Sequence, residues 1–285
     1  MLVAMESTGM KPFERIGFIG LGVQGGPIAR RLLGLDIPLR IWARRPDVSR
    51  EFAALGADTA QTCRELGATC DFIGICVVDE SGVRELLEGS NGMVPAMTPG
   101  SVIAIHSTIS PIACRELAAI AAQRDIRLID APVSGGASAA SEGRLTVMAG
   151  GEEEVVERCR PVFDVFASSV VHLGPVGAGQ IAKLINNTLM AGNLALIQAA
   201  SQIAEALGID VDSLLHVMSI SSGGSAALTS YRRHGGLSGY GHGAALLRKD
   251  VGILTSLTPA SADATLFEVA ERLQTYVERM AGQAS

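Results

Sequence analysis

Arg15-Ile16-Gly17-Phe18-Ile19-Gly20-Leu21-Gly22-Val23-Gln24-Gly25 is a short apolar run that ends in a cluster of glycines. The run predicts a strand over 15–20, and a helical pattern follows from Gln24 to Leu33. A GxGxxG directly after a strand and opening a helix is the fingerprint of a dinucleotide site. Gly20 permits the tight turn, Gly22 lets a pyrophosphate approach the backbone, and Gly25 lets helix and strand pack closely. The helix N-terminus supplies N–H donors for the phosphates. The whole loop, Gly20, Leu21, Gly22, Val23, Gln24 and Gly25, is therefore assigned to the cofactor.

Leu39-Arg40-Ile41-Trp42 reads as the second strand, and its end is expected at the adenine ribose. An NAD-preferring site places Asp or Glu there. Here the residues are Ala43, Arg44, Arg45 and Pro46. Nothing among them repels a 2′-phosphate, and two guanidiniums can bind one. NADP is the favoured cofactor, with NAD the alternative, because Asp47 is an acid just past the proline.

The strand–helix alternation continues. Residues 71–78, 101–106 and 127–130 read as strands, with a helix from Asp79 to Leu87 and another from Pro111 to about Gln123. Such alternation implies a parallel sheet with right-handed crossovers. Ligands bind beyond the carboxyl ends of its strands. The turns at 20–25, 43–46, 77–82 and 106–111 are thus expected to line one crevice, which brings Val77, Val78 and Gly82 to the cofactor. In Asp130-Ala131-Pro132-Val133-Ser134-Gly135-Gly136, the Ser134 hydroxyl and the backbone N–H groups beside Gly135 and Gly136 suit a carboxylate. Residues 145–151 and 169–173 are expected to complete the sheet.

Gly174-Pro175-Val176-Gly177-Ala178-Gly179-Gln180 then opens a long apolar run to about Leu207, with Gly208 as its stop. A helix of about 28 residues is about 42 Å long. Lys183 and Asn187 are four apart and share one face. Only Lys11, Lys183 and Lys249 are lysines, while the other basic residues are arginines. Arg keeps its proton near neutral pH, whereas Lys gives it up when desolvated. A chain that otherwise uses Arg but keeps Lys183 in an apolar helix points to proton chemistry there.

At 285 residues and 48% hydrophobic, the chain is long enough for two domains and a sizeable core. A net charge of −6 offers no basic footprint for nucleic acid. Five cysteines without a CxxC pair, and an N-terminal stretch (1–14) without a basic-then-apolar layout, lead us to expect a cytoplasmic protein with no disulfide framework. No apolar run is free enough of polar breaks to suggest a membrane span, and no His–carboxylate cluster has metal spacing.

GLGVQG, STISP at 107–111, DAPVSGG at 130–136, GPVGAGQIAKLINN at 174–187 and Lys249-Asp250 fall in the order and spacing of the β-hydroxyacid dehydrogenases. The chain resembles that family over about residues 15–255. The resemblance implies an α/β Rossmann domain with a mostly parallel sheet (1–176), then a long interdomain helix and an all-α substrate and oligomerisation domain (177–285). It implies a homodimer or homotetramer acting on a small hydroxy acid. By motif, Lys183 resembles the catalytic lysine and Asn187 the asparagine that orients the substrate, with Asn186 beside it. Ser134, Gly135 and Gly136 resemble the carboxylate loop, Thr108 a residue near the nicotinamide, and Lys249 a lysine reaching toward the cofactor. The expected reaction is hydride transfer between NADP and a short-chain β-hydroxy acid, with Lys183 as general acid and base. The alternatives are reduction of an imine or another carbonyl, against which the retained Lys183 argues, and NADP binding without turnover.

The chain departs from the family pattern at Gln24, Val77-Val78 and His106. Residues 219–245 depart more, being shorter and lacking the usual PGF-type turn. Arg232, Arg233, Tyr231, Tyr240 and His242 there are candidates to read a second polar group on the substrate, Arg232 first among them.

Overall fold

The computed structural model describes residues 13–283. It divides into two compact units between Lys183 and Leu184.

In the first unit, β1 (Ile16–Ile19), α1 (Gly25–Leu32), β2 (Leu39–Trp42), α2 (Pro46–Ala54), β3 (Asp58–Thr59), α3 (Cys63–Thr69), β4 (Phe72–Ile75), α4 (Glu80–Glu88), β5 (Val102–Ile105), α5 (Pro111–Ala122) and β6 (Arg127–Asp130) alternate, with α2, β3 and α3 added to the elements the pattern marked. The six strands pair in parallel in the order β3-β2-β1-β4-β5-β6. The chain builds outward from β1 in one direction and then from β4 in the other. The switch point between β1 and β4 is where an open α/β sheet leaves a crevice at its carboxyl edge.

Side chains alternate across a strand, so each strand feeds two cores. Ile16, Phe18, Phe72, Val102 and Ala104 face one, where Ile28 and Leu32 of α1 and Val48 and Phe52 of α2 are buried. Ile73, Ile75, Ile103 and Ile105 face the other, against Leu66 of α3, Leu86 and Leu87 of α4 and Leu117 of α5. Continuous apolar strands are what a sheet covered on both faces requires.

The next elements are β7 (Val133–Ser134), α6 (Gly136–Ser141), β8 (Leu145–Ala149), α7 (Glu153–Phe163) and β9 (Ala167–His172). They correct one expectation. Strands β8 and β9 do not complete the main sheet but form a separate three-stranded sheet in the order β7-β8-β9. Pro132 has no N–H for a ladder, and the chain reverses through Gly135 and Gly136, both at positive φ. β8 therefore returns antiparallel to β7. A single Asp130–Gly150 bridge joins this sheet to the end of β6.

Helix α8 (Ala178–Ala206) has 29 residues and ends before Gly208, which adopts φ +72°. The division between the two units falls inside it. In the second unit it is followed by α9 (Val211–Ser219), α10 (Ala226–Arg233), α11 (Gly241–Leu257) and α12 (Thr265–Gln283). Leu194, Ile197, Leu215, Leu228, Tyr231, Val251 and Leu273 form the core of this unit. Residues 219–245 are mostly helical and not an open loop. Ser225 caps α10 by accepting from Leu228 N at 3.1 Å, and the buried Tyr231 donates to Gln198 Oε1 at 2.7 Å. No helix among the described residues is long and apolar enough to cross a membrane.

Candidate functional site

The loop after β1 has the shape its glycines require. Gly20 sits at φ +96°, and a Cβ there would lie 2.1 Å from Cys76 O. A Cβ on Gly25 would lie 1.8 Å from Gly20 O. These two glycines are steric necessities of the fold. Gly22 is different, because a Cβ there would meet nothing within 4 Å. Open space over a glycine backbone at a helix N-terminus is what a pyrophosphate needs. Val23 beside it is 81% exposed, and Gln24 Nε2 is buried with no hydrogen-bond partner among the described residues. An open glycine, helix N–H groups and an unused amide donor together fit a dinucleotide.

The neighbouring strand ends supply the other cofactor candidates. Ala43, Arg44 and Arg45 follow β2, with both guanidinium residues exposed. Asp47 lies in the first turn of α2, where an acid offsets the helix dipole. Val77 and Val78 follow β4, and Val78 is 69% exposed. Val77 N donates to Ser107 Oγ at 2.8 Å. The N–H of Gly82 is committed to the α4 cap, donating to Asp79 Oδ1 at 2.9 Å. Thr108 follows β5 and is half-buried. The ends of β2, β1, β4 and β5 are consecutive in the sheet, so the structure brings these residues to one edge.

Ser134 lies in β7, half-buried, with Gly135 and Gly136 at φ +130° and +74°. His106, the family departure just after β5, is a core residue. Its Nδ1 donates to Ala131 O at 2.8 Å, and its ring lies against Phe18, Phe163 and Phe166. Burial pushes its pKa down to about 4.

Asp130 is a residue to which the sequence assigned no role. It ends β6 with 0% exposure. Its Oδ1 accepts from Gly177 N at 2.6 Å and its Oδ2 from Gln180 N at 2.8 Å. The residue before α8 is Gly177, at φ +96° and with no side chain to cap the helix. Asp130 provides the cap from another strand, satisfying N–H groups that a helix start leaves open. Burial pushes its pKa up to about 6, against the backbone N–H groups that pull it down. The sequence signal was an acid at the end of an apolar strand in the same chain as a capless glycine helix start. Lys183 is half-buried one turn beyond this cap.

The second unit holds the remaining candidates. Asn187 is half-buried and donates through Nδ2 to Asp250 Oδ2 at 2.6 Å, and Asn186 is exposed, with its Nδ2 3.2 Å from Asn187 Oδ1. Asp250 is buried, and Lys249 Nζ lies 3.3 Å from its Oδ1. Asn187, Asp250 and Lys249 thus form one group. Arg232 stands apart from it, exposed on α10 and donating to Ser219 Oγ at 3.1 Å. The side chain of His242 lies outside the described residues.

Two family models match in succession. The NAD-binding domain of 6-phosphogluconate dehydrogenase covers residues 15–174, and the NAD-binding model of NADP-dependent 3-hydroxyisobutyrate dehydrogenase covers residues 177–285. The NAD-dependent L-serine dehydrogenase of Pseudomonas aeruginosa is 34% identical, covering 88% of this chain and 88% of the relative. The mitochondrial 3-hydroxyisobutyrate dehydrogenase of Mus musculus is 33% identical, covering 88% of this chain and 78% of the relative. The solved structure of Mycobacterium tuberculosis 3-hydroxyisobutyrate dehydrogenase with L-serine superposes with a TM-score of 0.80 at 29% identity, covering 93% of this chain and 94% of that one. The strand order, the glycine loop and these matches agree: the chain belongs to the β-hydroxyacid dehydrogenase family, NAD(P)-dependent dehydrogenases acting on hydroxyl groups.

Proposed function

We infer that the protein transfers hydride between NADP and a short-chain β-hydroxy acid, or its semialdehyde or keto form, with Lys183 as general acid and base. The observation that carries this reading is a half-buried lysine placed one turn past a helix start that Asp130 pins to the carboxyl edge of the sheet. Residues 1–176 form the dinucleotide-binding domain, and residues 177–285 form the substrate and oligomerisation domain of a homodimer. The relatives' named substrates, serine and 3-hydroxyisobutyrate, share a carboxylate with a hydroxyl on the β carbon.

Bound nicotinamide supplies or accepts the hydride. In oxidation, Lys183 Nζ takes the proton of the substrate hydroxyl. In reduction, Nζ returns it to the nascent alkoxide. General acid–base help of this kind contributes roughly 10²–10⁴-fold. Ser134 with the N–H groups of Gly135 and Gly136 holds the carboxylate. Asn187, kept in place by Asp250, orients the hydroxyl-bearing carbon, with Asn186 at its side and Arg232 a further contact. Thr108 is assigned to the nicotinamide end of the cofactor, and Lys249 is assigned to the cofactor.

The exposed Arg44 and Arg45 favour the 2′-phosphate of NADP, and Asp47 has a helix-dipole reason to be where it is. All five cysteines are free thiols, which suits a reducing cytoplasm. Ile185, Leu189, Leu196 and Ile203 are exposed along α8 at helical spacing, which supports self-association. Size-exclusion chromatography with light scattering tests that point.

The deciding experiment is Lys183→Ala assayed with L-serine and 3-hydroxyisobutyrate. Turnover is expected to fall by at least about 10²-fold while NADPH still binds. Undiminished turnover removes Lys183 from the chemistry.

A further inference from the structure

Gln180 is 0% exposed in the first turn of α8, three residues before Lys183. A buried amide carries N–H donors and an acceptor oxygen, and both ends seek partners. Its Oε1 accepts from Ile109 N at 3.1 Å, and its Nε2 donates to Ser107 O at 2.8 Å. Both partners are backbone groups of fixed character, so only this orientation of the amide satisfies them. The residue between the two clamped groups is Thr108.

The same clamp extends in both directions. Ser107, 3% exposed, accepts through Oγ from Val77 N, in the loop after β4. The backbone N of Gln180 donates to Asp130 Oδ2. Hydrogen bonds therefore run unbroken from the β4 loop through the β5 loop to the start of α8. A packing residue at position 180 would need neither half of the amide. This amide spends both halves on one three-residue segment.

We propose that Gln180 is a positioning residue for the hydride-transfer reaction: it fixes the Ser107–Ile109 loop against the first turn of α8, so that Thr108 and Lys183 keep one register. It rests on the reading of Lys183 as the proton donor and acceptor. It needs no contact between Gln180 and substrate or cofactor. A displacement of about 1 Å at a reacting group costs up to about 10²-fold in rate, and loss of both amide bonds leaves the loop free to shift by that much.

Two variants of the full chain test it, Gln180→Met and Gln180→Glu, with Lys183→Ala alongside. Gln180→Met keeps the length of the side chain and removes both bonds. Expected results are faster amide hydrogen exchange over 107–110 in the cofactor-free protein, NADPH affinity within about threefold by fluorescence titration, and a kcat for L-serine or 3-hydroxyisobutyrate lowered roughly 10- to 100-fold. In Gln180→Glu the acceptor for Ile109 N survives, but only a protonated carboxyl can donate to Ser107 O. Its kcat relative to the parent protein is therefore expected to rise as pH falls, a rescue that a packing role does not produce. A wild-type kcat in Gln180→Met, or a loss confined to KM, overturns the proposal. If Gln180→Met does not fold, the pH dependence of Gln180→Glu decides: a flat ratio overturns it. An inactive Lys183→Ala beside a fully active Gln180→Met sinks the Gln180 proposal alone. A fully active Lys183→Ala sinks the lysine reading and, with it, the claim that Gln180 serves Lys183.

Discussion

Replacing each glycine of the first loop by alanine separates fold from ligand. A Cβ on Gly25 would stand 1.8 Å from Gly20 O, and one on Gly20 would stand 2.1 Å from Cys76 O, both backbone atoms. Neither can rotate away, so strand, turn or helix must move. Overpacking of this kind costs about 3 kcal/mol or more. At about 2–4 °C per kcal/mol for a unit of this size, the melting temperature of Gly25→Ala should fall by about 6–12 °C. Gly22→Ala is predicted to behave in the opposite way. Its Cβ meets nothing within 4 Å and its φ lies outside the left-handed region. Stiffening the unfolded chain there should stabilise the protein by about 0.4–1 kcal/mol. The same methyl occupies the space assigned to the pyrophosphate. Losing one charge-assisted N–H contact of about 1.5–3 kcal/mol weakens binding roughly 10- to 100-fold. Thermal melts of the cofactor-free proteins and NADPH fluorescence titrations give the two readouts. If Gly22→Ala binds NADPH as tightly as the parent protein, the pyrophosphate does not lie over Gly22. If it melts as low as Gly25→Ala, the space over Gly22 is not open.

Three further outcomes are expected. Arg44→Ala with Arg45→Ala should raise KM for NADPH by at least about tenfold more than KM for NADH, given about 1.5–3 kcal/mol per charge-assisted contact; equal effects on both cofactors show that the arginines do not read the 2′-phosphate. Asp250→Asn replaces a buried charged acceptor of Asn187 by a neutral one and should lower kcat/KM roughly tenfold; an unchanged value separates the orientation of Asn187 from substrate turnover. Between about pH 4 and 6 two buried groups should tilt stability in opposite directions. The His106 pKa, down at about 4, makes stability fall as pH drops below 6.5, and the Asp130 pKa, up at about 6, makes it rise over the overlapping range down to 3.8. Each slope approaches about 1.4 kcal/mol per pH unit. In urea titrations at pH 7, 5.5 and 4.5, Asp130→Asn should therefore lose stability on acidification and His106→Leu should gain it, whereas parallel profiles for the two variants contradict the assignment.

The parallel sheet was readable because its strands are short apolar runs set between helices with recognisable caps. Leu39–Trp42 and Arg127–Asp130 form over the residues the pattern marked. What escaped was set by partners distant in sequence. Asp58–Thr59 is a two-residue edge strand held by β2 alone, with too little periodicity to register. The alternation of β8 and β9 says that they are strands but not which sheet they join. That depends on the reversal after Pro132, where register is imposed by pairing with β7. Residues 219–245 gave no assignment of elements because their glycines break the helical period, yet Ser225 and the buried Tyr231 anchor a helix between the breaks. In the site, the glycine loop and Lys183 were visible as local patterns. Asp130 and Gln180 were not, because their partners lie about 50 and about 70 residues away in the chain.

That distance has a consequence for how the helix start is built. A helix usually carries its own cap one residue before its first turn. Here that place belongs to Gly177, whose φ of +96° favours glycine over residues with a side chain. A Cβ at Gly179 would also lie 2.2 Å from Met148 O, so small residues are forced by the close approach of the chain to β8. The helix therefore cannot cap itself and still pack this tightly. Moving the cap to Asp130 resolves the conflict and adds a constraint a local cap lacks. The first turn of α8 is registered against the end of β6, and through Gln180 against the loop after β5. Asp130→Asn tests the distinction: its amide oxygen can still accept one N–H, so the helix should remain by circular dichroism. Only one of the two bonds from Gly177 and Gln180 then keeps a good acceptor, and kcat should fall while NADPH binding holds. A fall in helix content matching the fall in kcat would make Asp130 a folding residue only.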